Sequence, residues 1–179
     1  MSLNRRQFLR SAAIAGAAAA AGCQAPRVAR KVSPNAKLNL GVIGVAGRGG
    51  ENLAGVSSQN SVALCDIDSD RLGAAVAKHP GAAKYADFRR LLDRTDLDGI
   101  VVSTPDHSHA VIATAVLASG RPLYCEKPVT HTISEARALA AKVTRSGLVT
   151  QTGNQIHSGS NYRRVVELIR AGTIGPVRE

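Results

Sequence analysis

Tryptophan is absent from the 179-residue chain, and three tyrosines and two phenylalanines bring aromatic content to only 3%. Any core must therefore be aliphatic. A composition 44% hydrophobic and 20% charged suits a globular α/β domain and excludes a disordered chain. Cysteine is also scarce. Cys23, Cys65 and Cys125 form neither a CxxC pair nor an evenly spaced framework. Cys65 and Cys125 lie in strand-like apolar runs, where a buried inert thiol is expected. Acidic residues are missing from one region: residues 1–37 hold seven basic residues and no acid. The other residues have 16 basic and 13 acidic side chains, so most of the net charge of +10 belongs to the first segment. That distribution argues against nucleic acid as a partner.

No apolar run is long enough to span a bilayer. The longest, Ser11–Gly22, is a 12-residue run of small and apolar side chains behind a basic start, the layout of an export signal. Arg5-Arg6-Gln7-Phe8-Leu9-Arg10 resembles a twin-arginine motif, with Asn4 where Ser or Thr is usual and Arg10 where Lys is common. It implies the twin-arginine machinery as partner and a periplasmic or membrane-anchored product. Ala20-Ala21-Gly22-Cys23 resembles a lipoprotein box that would attach Cys23 to the membrane, without the usual Leu. The alternative is cleavage at a nearby A-x-A site, releasing a soluble protein. Residues 24–37, with Pro26 and Pro34, read as a linker.

From Leu38 strand and helix patterns alternate. Strands are expected at Leu38–Gly44, Ser61–Asp66, Ala83–Tyr85, Gly99–Ser103, Pro122–Glu126 and Leu148–Thr152. Helices are expected at Gly49–Ser58, Ser69–Lys78, Phe88–Asp93, His107–Ala118, Ser134–Ser146 and Asn161–Ala171. This alternation predicts a doubly wound parallel sheet, the α/β class, with ligand loops along the edge where the strands end.

Three loops on that edge carry the chemistry. Gly44-Val45-Ala46-Gly47-Arg48-Gly49 follows an aliphatic strand and opens a helix. On the G-x-G-x-x-G fingerprint it places Gly44 in the tight turn, Ala46 where the backbone nears a pyrophosphate, and Gly49 where helix packs on strand. Ala46 leaves less room than glycine. Asp66 lies 22 residues after Gly44, at the end of the second strand. A carboxylate there accepts from ribose hydroxyls and repels a 2′-phosphate, favouring NAD. Arg48 and Arg71 leave NADP open. The fourth strand ends in Ser103-Thr104-Pro105-Asp106-His107-Ser108-His109. Thr104 and Pro105 are placed to line the cofactor, and Asp106 to cap the next helix. His107 and His109 lack a third ligand of matching spacing, so no metal is expected. The fifth strand ends in Glu126-Lys127-Pro128. A lysine there can lower a hydroxyl's pKa and orient it for hydride loss, although a surface lysine is the bland reading. After the sixth strand, Asn154, Gln155 and His157 could bind sugar hydroxyls or form a polar loop.

Taken in order, GVIGVAGRGG, Asp66, STPDHSHA and YCEKP resemble the Gfo/Idh/MocA oxidoreductases from about Leu38 onward. The resemblance implies a Rossmann domain, a following α+β domain, and NAD(P)-dependent chemistry on sugars, inositols or related polyols. It implies that Lys127 contacts substrate and nicotinamide ribose, that Glu126 lines the nicotinamide end, that His109 belongs to the cofactor loop, and that Lys127–Pro128 is cis. It also implies that the full-length parent associates through its second domain. The expected organisation is a signal at 1–23, a linker at 24–37, a dinucleotide-binding domain at 38–157, and the start of a truncated second domain at 158–179. Such a fragment is expected to bind NAD weakly and to catalyse little. Two rivals stand beside the dehydrogenase: an NAD-dependent glycoside hydrolase using transient oxidation, and a non-catalytic nucleotide-binding protein.

Overall fold

The computed structural model describes residues 33–176; the segment expected to be an export signal, including Cys23, and most of the expected linker lie outside them. Six parallel strands form one sheet: β1 (Asn39–Ile43), β2 (Asn60–Cys65), β3 (Ala83–Tyr85), β4 (Gly99–Val102), β5 (Leu123–Glu126) and β6 (Thr150–Gly153). Their order is β3-β2-β1-β4-β5-β6. The helices are α1 (Arg48–Gly55), α2 (Ser69–Lys78), α3 (Phe88–Leu92), α4 (Asp106–Ala118), α5 (Ile133–Ser146) and α6 (Ser160–Arg170).

The four inner strands β1, β2, β4 and β5 read as largely apolar runs because both faces of a parallel sheet need cover, whereas the edge strands β3 and β6 carry Lys84 and Gln151. Alternate residues divide between the two layers. Ile43, Cys65, Ile100, Val102, Leu123 and Cys125 pack toward Leu91, Leu92, Ile112, Val116 and Leu139 of α3–α5. Val42, Leu64 and Val101 pack toward Leu53, Leu72 and Ala75 of α1 and α2. On this second face a groove remains between α1 and β4–β6, lined by Leu40, Val56, Val101, Tyr124 and Val149. Strand β1 pairs with β2 on one side and β4 on the other. The chain therefore winds away from β1 in both directions, and the loops after β1 and β4 part to leave a crevice at the strand ends.

Local chemistry sets the helix ends. Asp68 caps α2 by accepting from the N–H groups of Asp70 and Arg71. Thr132 and Glu135 form a capping box at α5, which stops at Gly147 in the left-handed conformation. Most boundaries shift from expectation by one to three residues, and two of these shifts have a clear local cause. Helix α1 stops at Gly55 instead of Ser58, because the amides of Ser57 and Gln59 turn back to Ala54 and Val56. Asp106 does not cap α4. Pro105 holds that position, and Asp106 is the first helical residue, its charge at the positive end of the helix. Helix α6 packs on the 3₁₀ turn Gln155–Ser158 and leaves Tyr162, Val165, Leu168 and Ile169 each more than 40% exposed. No helix among the described residues is long and apolar enough to cross a membrane.

Candidate active site

The turn after β1 approaches β4 with no room to spare. Gly44 has φ +84°, and a Cβ there would lie 2.6 Å from the Ser103 carbonyl oxygen. A Cβ on Gly49 would lie 2.0 Å from the Gly44 carbonyl oxygen, so α1 sits directly against the turn. Gly47, also at positive φ, faces open space. The N–H groups of Ala46, Gly47 and Arg48 donate to nothing among the described residues, while the Gly49 and Gly50 amides are spent on Ala46 and Gly47. Three unpaired donors at a helix N-terminus form an anion cradle suited to a pyrophosphate.

Asp66 stands beside this cradle at the end of β2. Its Oδ2 accepts from the Val45 N–H at 3.0 Å and its Oδ1 from the Asp68 N–H at 3.1 Å. A carboxylate offers about four acceptor sites, so about two remain for ribose hydroxyls. The arginines that left NADP open already hold carboxylates: Arg71 pairs with Asp68 at 3.1 Å, and Arg48 pairs with Glu51.

Across the crevice, Thr104 and Pro105 open the loop after β4. Ser108 Oγ lies 2.8 Å from Thr104 Oγ1 and donates to the Pro105 carbonyl. His109, expected in the cofactor loop, lies behind it. It is 1% exposed, with Nδ1 2.6 Å from the Pro128 carbonyl oxygen and Nε2 2.7 Å from that of Thr104. It ties the β4 loop to the β5 loop.

At the end of β5, Lys127 is exposed and followed by a cis bond to Pro128. Glu126 turns inward and is 3% exposed. Its Oε1 accepts from Asn52 Nδ2 at 2.8 Å, from the Tyr124 hydroxyl at 3.1 Å and from Gln155 Nε2. Its Oε2 accepts from the Lys127 N–H at 3.3 Å. Burial pushes the Glu126 carboxyl up, but these donors outweigh it and leave the pKa below the usual glutamate value. Burial, followed by the Glu126 charge, raises the Tyr124 hydroxyl.

Asn154, Gln155 and His157 follow β6 on the same edge and are exposed. Gln155 spends its amide on Glu126 and on Tyr124, and the His157 ring lies 4.8 Å from that of Tyr162. Sequence reasoning missed Asn52 and Tyr124. A legible signal existed: Asn52 falls three residues after Gly49, on the same inward face of α1. Among the described residues no group of three or more His, Cys, Asp or Glu side chains is arranged to hold a metal.

The strand order, the cradle and the carboxylate at the end of β2 define a Rossmann domain for a dinucleotide. Residues 38–154 match the family described as oxidoreductase, NAD-binding Rossmann fold, and the chain belongs to this Gfo/Idh/MocA family. It is 32% identical over 192 aligned residues to a glycosyl hydrolase family 109 protein of Solibacter usitatus, covering 96% of this chain and 43% of that protein. It is 32% identical over 145 residues to inositol 2-dehydrogenase 1 of Saccharopolyspora erythraea, covering 77% and 43%. The crystal structure of myo-inositol 2-dehydrogenase from Lactobacillus plantarum superposes with a TM-score of 0.73 at 21% identity, over 79% of this chain and 43% of that one. The chain thus spans less than half the length of these relatives.

Proposed function

We propose that the chain is the cofactor-binding half of an exported NAD-dependent oxidoreductase acting on a sugar, inositol or related polyol. NAD supplies the hydride acceptor or donor. The amides of Ala46, Gly47 and Arg48 hold its pyrophosphate, Asp66 its adenosine ribose, and Thr104 and Pro105 line its path. Lys127 is the catalytic residue: its ammonium orients the reacting hydroxyl and favours the oxyanion form. Asn154 and His157 face the substrate side. The observation that carries this reading is the exposed Lys127 amine, on the same sheet edge as the amide cradle, while its neighbour Glu126 is buried and bonded. The test is NADH formation from inositols and other polyols by the protein purified from its native host. Lys127→Met is expected to lower kcat at least about 100-fold with NADH affinity within about threefold. Equal turnover in the variant would remove Lys127 from the chemistry.

One observation favours a second reading, glycoside cleavage by transient oxidation. Similarity to the family 109 protein covers 96% of the chain and so extends into the leader, whereas similarity to the inositol dehydrogenase covers 77%. Glycoside cleavage without NADH accumulation would select it.

Export belongs to the same proposal. The twin-arginine route carries folded proteins, so NAD is bound before export and recycled within one site. Cys23 anchors the product, and the whole protein self-associates. Arg5→Lys with Arg6→Lys should hold the protein in the cytoplasm, and Cys23→Ala should release it from the membrane fraction. Mature protein purified without bound nucleotide would count against prior loading.

A further inference from the structure

We propose that Asn52 is a positioning residue for Lys127, acting through the buried Glu126 carboxylate; this rests on the reading of Lys127 given above. Asn52 has two amide hydrogens and both are spent. One goes to Ser103 Oγ and the other to Glu126 Oε1, each at 2.8 Å. A carboxylate only accepts, so the nitrogen of Asn52 must face it. The side chain thus joins the helix behind the pyrophosphate cradle, the end of β4 and the end of β5.

Glu126 carries the link onward. Its other oxygen accepts from the Lys127 N–H. Beyond Lys127, the buried His109 ring is wedged between the Pro128 and Thr104 carbonyl oxygens, 2.6 Å and 2.7 Å from its two nitrogens. The lysine is therefore gripped on both sides while its amine stays in solvent. The carboxylate has no room to rearrange on the β6 side, because a Cβ on Gly153 would lie 2.6 Å from Glu126 Cδ. Removing Asn52's donor leaves a buried charge with fewer partners. The carboxylate then protonates or turns toward water, and the Lys127 amide loses its acceptor.

The test uses the whole chain, with amide exchange at Lys127 followed by NMR. The Leu64 amide in β2 serves as the gauge of global opening. In Asn52→Leu the Lys127 amide should exchange about 5–10-fold faster than in the wild type at the same pH, with Leu64 unchanged. Asn52→Asp supplies a readout that a packing role would not move. At the acid end of a pH series the two carboxyls share a proton, the bridge is restored, and exchange matches the wild type. At its alkaline end both are charged, and the Lys127 amide is released. Saturating NAD⁺ should slow Lys127 exchange in the wild type but not in Asn52→Leu.

Wild-type exchange in both variants at both ends of the pH series would overturn the proposal. If Asn52→Leu does not fold, the pH response of Asn52→Asp decides. An NAD⁺ effect that survives in the variants defeats the proposal alone. No NAD⁺ effect in the wild type defeats the reading of Lys127 and the proposal with it.

Discussion

Replacing Gly49 by alanine adds one methyl group where the fold has no space for it. The new carbon would sit 2.0 Å from the Gly44 carbonyl oxygen, 2.7 Å from its carbon, and 3.3 Å from Ser103 Cβ. A relaxed C···O contact is about 3.3 Å, so α1 must retreat by more than about 1 Å. Two of these three neighbours are backbone atoms, and no side-chain rotation relieves the clash. Overpacking of this kind costs about 1–3 kcal/mol, and the backbone contact puts Gly49→Ala at about 2–3. At about 3 °C per kcal/mol for a domain near this size, the melting temperature falls by about 6–9 °C. The same retreat moves the Ala46–Arg48 amides off the pyrophosphate, weakening NADH at least about tenfold, or about 1.4 kcal/mol. Gly73→Ala is the internal control. It is the same chemical change in mid-helix α2, where the new carbon meets nothing within 4 Å. Helix propensity then stabilises the variant by about 0.5–1 kcal/mol. Circular-dichroism melts and NADH fluorescence titrations read both. Gly49→Ala melting with the wild type and binding NADH equally well would refute the packing argument.

Asp66→Asn should weaken NADH about 10–100-fold, because charged acceptors contribute about 1.5–3 kcal/mol to hydrogen bonds. The loss for NADPH should be smaller, which competitive titration measures. The depressed Glu126 carboxyl contributes stability that is present above its unfolded value near 4.5 and lost as pH falls through its folded value. Glu126→Gln should therefore flatten the acid limb of the stability–pH curve, measured by urea melts at a series of pH values. Burial, followed by neighbouring carboxylates, pushes the Cys65 and Cys125 thiols up to about 12. Both should resist iodoacetamide at about pH 8 until the protein unfolds, as peptide mapping would show.

Much of the fold was legible locally. Ser69–Lys78 and Ala83–Tyr85 have the expected bounds because Asp68, a capping residue, precedes the first, and turn residues bound the second. The glycine turn was legible because its spacing answers a steric demand from β1 and α1, neighbours in sequence. The partners of Asn52, Tyr124 and Glu126 were not, since Asn52 reaches Ser103 and Glu126 across 51 and 74 residues and Gln155 reaches Tyr124 across 31, contacts made only when α1, β4, β5 and the turn after β6 are assembled. His109 shows the same limit. Its motif pointed to a loop at the cofactor, whereas its ring is fixed by Thr104 and by Pro128, 19 residues away.

The sequence by itself determined the strand–helix alternation, the glycine turn with its acid at the end of β2, and the position of Lys127 after a strand. Each depends on periodicity or spacing within one supersecondary unit. Only the tertiary structure decided which polar groups face the cofactor edge and which brace it from behind. A side chain's direction depends on what is packed against it, and at Glu126 that packing comes from α1, β6 and the turn beyond.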